Sequence, residues 1–312
     1  MSEKINSISF QDNRVSWLNA ELGDHTITVN RAIESLLPLV INLENIQQAT
    51  APTQMANHLR TLASSHDISI ENIRFVLPSK FLLVKRILVD QYVTNENFRE
   101  IVMDEMSQIL SESSDNYYIY TPEFQSTNEN YREIISVAFK KQILQFFQDI
   151  ASKADITPDQ ILVNCFTVDS LFRKFFPDQI GQSLLANFSE RGYEIVISDE
   201  KNFLTTIFKP YSKSLMSIEQ LDDEEILSMF DSIIEEIQIP GSIGNPIYSI
   251  SQIYLYGSYF KPQWLDMLRS QFSIPVHTLN PMDTREWRLI TNDPAFNPDE
   301  AYRFVEPLST LI

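Results

Sequence analysis

The chain has 312 residues, 43% of them hydrophobic and 21% charged, enough apolar material for one large body or two domains of ordinary size. Its formal net charge of -18, with acidic and basic residues interspersed and no block of Lys or Arg, argues against nucleic acid and direct membrane-surface binding, and would attract a basic partner segment. Six glycines leave few places where the backbone could approach a phosphate closely.

Residues 1–17, MSEKINSISFQDNRVSW, lack the charged-then-apolar pattern of a signal peptide, and no apolar run approaches the roughly 18 residues of a spanning helix. The opening, INSISFQDNRVSWLNAELGDHTITVNRAI, reads as three short strands. The turns fall at Gln11-Asp12-Asn13 and Gly23-Asp24, and Val15, Trp17, Ile27 and Val29 supply the alternation. Pro52-Thr53 opens a helix through QMANHLRTLASSH, and IRFVLPS is a short apolar strand closed by Pro78. FLLVKRILVD is a further strand, followed by a helix over NENFREIVMDEMSQIL with Phe98, Ile101, Val102, Met106, Ile109 and Leu110 on one face. NYYIYTPEF and EIISVAF read as strands around the polar loop QSTNENY; KKQILQFFQDIASKAD is an amphipathic helix, and QILVNCF a returning strand.

Cys165, in that last run, reads as a buried structural thiol; a lone cysteine makes no internal disulfide, so a reducing cytoplasm is the expected compartment. A lobe boundary is expected near Pro177-Asp178. Beyond it, LLANFSERGYEIVISDEKNFLTTIFKPYS has the outline of a second three-strand meander. The helix DDEEILSMFDSIIEEIQI follows, its acidic first turn reading as a solvated cap. After the turn PGSIGNP come the strand SQIYLYGS, the helix KPQWLDMLRSQF, the strand PVHTLNP and a closing helix over DEAYRFVEPLSTLI. No internal repeat stands out.

The usual catalytic signatures are missing. The four histidines have no i, i+3 or i+4 partner of ligand type, so no metal site is expected. There is no G-x-S-x-G elbow, Walker loop or G-x-G-x-x-G.

The order of elements resembles the two-lobed, ribonuclease H-like actin fold with an inserted α/β subdomain, and within it the family of the type IV pilus assembly protein PilM, related to FtsA and to the cytoplasmic domain of GspL. The first phosphate loop of that family matches SFQDNRVSW, with Phe10, Gln11, Asp12 and Asn13 and no glycine. The second matches LLANFSERGYEIVI, where Asn187, Phe188 and Ser189 replace a D-I-G triplet, and the adenosine-side G-G turn matches YLYGSYF, leaving Gly257 and Ser258. Lost glycines remove the close backbone approach, Asn187 lacks the charge that orients magnesium and water, and Phe10 and Phe188 are expected to bring bulk where phosphates would sit.

The resemblance therefore implies a vestigial nucleotide pocket at Phe10, Gln11, Asn13, Asn187, Ser189, Gly257 and Ser258, with no ATP or magnesium as cofactor and no catalytic residues. Without the resemblance, the same segment is an ordinary β-turn. The implied lobes are 1–178, with the insertion at about 80–162, and 179–285, with 286–312 returning to the first. The implied function is a cytoplasmic scaffold of a type IV pilus or type II secretion-like machine, binding the cytoplasmic tail of an inner-membrane partner. An active actin-like ATPase and a self-assembling homo-oligomer without a membrane partner are the alternatives.

Overall fold

The N-terminal alternation becomes an antiparallel meander of β1 (Glu3–Phe10), β2 (Arg14–Gly23) and β3 (Thr26–Leu36), in register with Ile8 opposite Trp17 and Trp17 opposite Ile33. Val15, Trp17, Ile27 and Val29 are all buried. Helix α1 (Ala51–Ser65) starts at Ala51-Pro52, where proline's missing N–H is harmless, and buries Met55, Leu59 and Leu62. It leads into β4 (Ile73–Leu77), which pairs parallel to β1. This is a computed structural model that describes residues 3–90, 92–121, 131–200, 202–211, 217–238, 250–284 and 287–312. The expected strand end at 122–124, the loop at 125–130 and the turn at 240–246 lie outside the described residues.

The chain forms two units. The smaller is built on Phe81–Gln148. In it, β5 (Leu82–Asp90), β6 (Tyr117–Tyr120) and β7 (Tyr131–Lys140) make an antiparallel sheet in the order β5-β7-β6. Helix α2 (Asn95–Ser107) lays Val102 and Met106 against Ile87, Val89 and Ile134, with Phe98, Ile101 and Leu110 at the edge. Ile109 lies beyond the end of this helix and is exposed, unlike the expectation for that face.

The larger unit holds Met1–Lys80, Asp149–Gln238 and Ile247–Ile312. Its next elements are the end of α3 (Lys141–Lys153), β8 (Pro158–Val163) and α4 (Asn164–Phe175). The expected insertion extended to about 162, but β8 pairs with β4 in the first sheet, so the smaller unit stops earlier. QILVNCF is not one strand either: the chain turns into α4 at Asn164, and Cys165, Val168, Phe172 and Phe175 recur at helical spacing on a buried face.

The second meander is β9 (Gln182–Phe188), β10 (Gly192–Ser198) and β11 (Phe203–Pro210). Helix α5 (Asp223–Gln238) opens with a reciprocal cap: Glu225 N donates to Asp222 Oδ1 at 2.9 Å and Asp222 N to Glu225 Oε2 at 3.0 Å. β12 (Ile250–Tyr256) pairs parallel to β9; α6 (Gln263–Gln271) and β13 (Val276–Thr278) complete the sheet. β14 (Arg288–Thr291), not anticipated from the sequence, joins the edge of β3. The closing segment is a 3-10 turn over Pro298–Phe304 and then α7 (Val305–Ser309), because Pro307 cannot donate to a preceding carbonyl and stops one continuous α-helix. Helix α7 packs on α4, β1 and β2.

The sheet orders are β14-β3-β2-β1-β4-β8 and β11-β10-β9-β12-β13. Apart from β14 they follow the same path, a meander whose first strand continues into two parallel strands. The chain thus carries a topological repeat that no sequence repeat announces. No helix among the described residues is long and apolar enough to cross a membrane.

Candidate functional site

The first turns of the two meanders meet. Gln11 N donates to Arg14 O and closes the β1–β2 hairpin, which presents Asp12; Ser189 N donates to Gly192 O and closes the β9–β10 hairpin. Ser189 Oγ then donates to Asp12 Oδ2 at 2.7 Å, and Arg191 N donates to the same oxygen at 3.2 Å. Lys80, just past β4, pairs with Asp12 Oδ1 and donates to Ile41 O at 2.6 Å. The side chains are 11% exposed for Lys80 and 3% for Asp12, so this ion pair is sequestered from solvent screening. Burial alone raises the Asp12 carboxyl, but the charge of Lys80 and hydrogen bonds from Lys80, Ser189 and Arg191 outweigh it and hold the group below its usual range.

Deeper, Asn164 at the start of α4 is the hub. Its Oδ1 accepts from Ser79 N at 2.9 Å, while its Nδ2 donates to Glu194 Oε2 at 2.6 Å and to Glu306 Oε1 at 2.9 Å. Ser79 Oγ donates to Glu194 and Ser9 Oγ to Glu306; Asn187 Nδ2 adds a bond to Glu306 Oε1 at 2.7 Å. Burial, reinforced by the charge of Glu306, pushes Glu194 up to about 7. Burial likewise raises Glu306, against the pull of its donors.

Between these groups lies a cavity of about 20 Å³ lined by Gln11, Asp12, Lys80, Asn187, Glu194 and Glu306 among others. That is room for about one water molecule. A groove of about 490 Å³ exists elsewhere on the larger unit, between Tyr193, Tyr211 and α5, but Asp222, Glu224 and Glu225 line it and would repel a polyphosphate.

The predicted site residues divide accordingly. Gln11, Asn187 and Ser189 line the cavity, and Gln11 Oε1 and Asn187 Oδ1 find no hydrogen-bond partner among the described residues. Gly257 lies against Asn187: its φ is +99°, and a Cβ there would run into the Asn187 carboxamide. Asn13 and Ser258 are not among the lining residues. Asn13 Oδ1 accepts from Tyr259 at 2.7 Å, and Ser258 donates to Glu34, the partner of Arg303. Phe10 and Phe188 do not fill a phosphate position. Strand alternation turns Phe10 onto Phe75, edge to face at 5.2 Å, and Phe188 packs on Trp264 at 4.9 Å and on Phe230. Charged and amide side chains fill the space instead. Lys80, Asn164, Glu194 and Glu306 were missed; the visible signal was a glutamate inside each of the apolar runs GYEIVIS and FVEPLSTLI.

The fold is similar to those of solved structures. A chain of the PilM-PilN type IV pilus biogenesis complex superposes with a TM-score of 0.73 at 12% identity, over 98% of this chain and 96% of that one. The fold is actin-like, as in PilM. The cytoplasmic domain of EpsL, an inner-membrane component of the type II secretion system of Vibrio cholerae, has a TM-score of 0.50 at 9% identity, over 97% of this chain and 94% of that one. No family model and no curated protein matches the sequence. In this actin-like frame, the two facing turns are those at which the resemblance placed the phosphate loops. The donor set does not suit a nucleotide and its magnesium. The remaining space is that of one water, and Asp12 already accepts from the donors that a phosphate would need.

Proposed function

We propose that the chain is a cytoplasmic actin-like scaffold, a pseudo-ATPase, in a type IV pilus or type II secretion-like envelope machine, where it binds the cytoplasmic tail of an inner-membrane partner. The observation that carries the reading is the direct bonding of the two turns through Asp12, Ser189 and Arg191, which leaves about 20 Å³ between them. The likeness to a chain of the PilM-PilN complex along nearly the whole sequence supports the choice of machine, and that to the EpsL cytoplasmic domain supports an inner-membrane setting. A net charge of -18 suits a tail rich in Lys and Arg, the residues in excess on the cytoplasmic side of membrane proteins. Main-chain pairing and apolar pockets are the contacts such a tail uses.

Isothermal titration with ATP and magnesium, alongside thermal unfolding with and without nucleotide, tests the nucleotide half. No heat and no change in Tm are expected; tight stoichiometric binding would overturn it in favour of an active ATPase. Titration with synthetic cytoplasmic tails of inner-membrane pilus and secretion proteins tests the partner half, with micromolar binding expected. Failure of all such tails, with self-association in sedimentation over a concentration series, would favour a self-assembling actin-like protein.

A further inference from the structure

Neither the loss of a nucleotide nor the binding of a tail requires two glutamates at the centre of the larger unit. Glu194 comes from β10 and Glu306 from α7, and both are at least nine-tenths buried. Their carboxyl groups meet at one atom, Asn164 Nδ2, with bonds of 2.6 Å and 2.9 Å, so the two oxygens are no farther apart than the sum of those lengths. The other donors are Ser79 and Thr206 to Glu194, and Ser9, Asn187 and Gln11 to Glu306; each is uncharged. Two ionised carboxylates this close in a low-dielectric interior repel, and a single proton between them removes the repulsion. The serine hydroxyls can rotate to donate to a carboxylate or accept from a carboxyl, so the same frame holds either state.

We propose that Glu194 and Glu306 form a proton-operated latch: holding one proton between them they tie α7 to β10 through Asn164, and releasing it loosens that tie. The facing titratable groups do not substitute for this proton. Asp12 and Lys80, across the cavity, are already paired with each other. Cys165 on α4 and Tyr256 on β12 are pushed up by burial and by the acids around them and stay neutral. Asp169, farther along α4, is itself raised by burial, but its bonds go to Arg173 and Ser198 and not to either glutamate, and Tyr193 on β10 is raised to about 12 by burial.

The sign follows from the raised carboxyl of Glu194. With a folded value of about 7 against an ordinary 4.5, the folded state binds more protons than the unfolded state between those values. Stability is therefore greatest at the acid end of that window and falls as pH rises through about 7.

The test is thermal unfolding of the full chain from about pH 5 to about pH 9, with Glu194→Gln and Glu306→Gln, which keep the shape and remove the charge. The wild-type Tm is expected to fall across this range more steeply than that of either variant, with Glu194→Gln melting above wild type at the alkaline end. Parallel curves for wild type and Glu194→Gln would overturn the latch. A 13C-carboxyl glutamate titration by NMR needs no variant: one resonance with a midpoint near 7 is expected, and titration of every glutamate in the ordinary range would overturn the proposal. Hydrogen exchange in α7, corrected for the intrinsic rate, should accelerate relative to β2 over the same pH rise. Tight ATP binding together with this pH profile would overturn the proposed function and leave the latch standing.

Discussion

The two halves of the larger unit follow the same strand path and bring opposite chemistry to the place where they meet. The first contributes a turn whose working group is an acceptor, Asp12; the second contributes a turn whose working groups are donors, Ser189 Oγ and Arg191 N. Two such turns facing a phosphate would both have to donate. Here they satisfy each other, and Lys80 supplies the cation that lets Asp12 stay ionised. The difference teaches that a repeated topology fixes where side chains converge, while a few residues at strand ends decide whether the convergence is a ligand site or an internal clasp.

The harshest way to break the clasp is to remove its cation. Lys80→Met leaves Asp12 buried without its counter-charge and is expected to cost about 3–5 kcal/mol in urea unfolding. Asp12→Asn combined with Lys80→Met should be less damaging than Lys80→Met alone, because no buried charge is then left unpaired. The pH response reverses as well. In wild type the depressed Asp12 contributes stability that is present above its unfolded value of 3.8 and lost as pH falls through its folded value. In Lys80→Met, burial dominates, the folded value rises above the unfolded one, and acid should relieve part of the loss. The measurement is the Tm difference between variant and wild type at acid and neutral pH.

Gly257 sharpens the comparison from the second half. At φ +99° it occupies a conformation that side-chain-bearing residues avoid, and an added Cβ would meet Asn187. Gly257→Ala is expected to cost about 1–3 kcal/mol in the same assay. Asn187→Asp introduces the charge that the resemblance would place in the second phosphate loop. Here it would replace a donor 2.7 Å from Glu306 with a third acidic oxygen. A loss of about 1–3 kcal/mol is expected, larger at alkaline than at acid pH, with no gain of ATP affinity by titration calorimetry. Nucleotide binding by Asn187→Asp would show that the charge, rather than the closed space, is what the site lacks.

Much of this architecture was legible in the sequence because both meanders carry their own local signals, alternation at Val15, Trp17, Ile27 and Val29 in the first and short apolar runs parted by polar turns in the second. The site was legible only in part. Gln11, Asn187, Ser189 and Gly257 could be named because they lie at strand ends in an actin-like order. Phe10 and Phe188 were misread because, along a strand, the same turn-proximal position can face a core or a cleft, and the aromatic partners Phe75 and Trp264 decide which. Lys80, Asn164, Glu194 and Glu306 come from four separate elements, and the bond between Ser79 and Glu194 spans 115 positions, a juxtaposition that no local pattern encodes. Helix α4 was missed for a simpler reason: the apolar run that begins it continues the run that ends β8, and the change of period from two to 3.6 becomes visible only at Val168 and beyond.

The smallest expected effect isolates the contact between halves. Ser189→Ala removes the hydroxyl that donates to Asp12 but leaves the Lys80 pair and the Arg191 N bond, so a loss of about 1 kcal/mol is expected. Ser189 Oγ also lies 2.9 Å from Gly192 O within its own hairpin, so the raw loss mixes a local and a long-range bond. A double-mutant cycle with Asp12→Asn separates them. Coupling of about 0.5 kcal/mol or more between positions 12 and 189 is expected if the turns clasp each other. Additive losses would mean that Ser189 serves only its own turn, and that the Arg191 N bond to Asp12 is what joins the two turns.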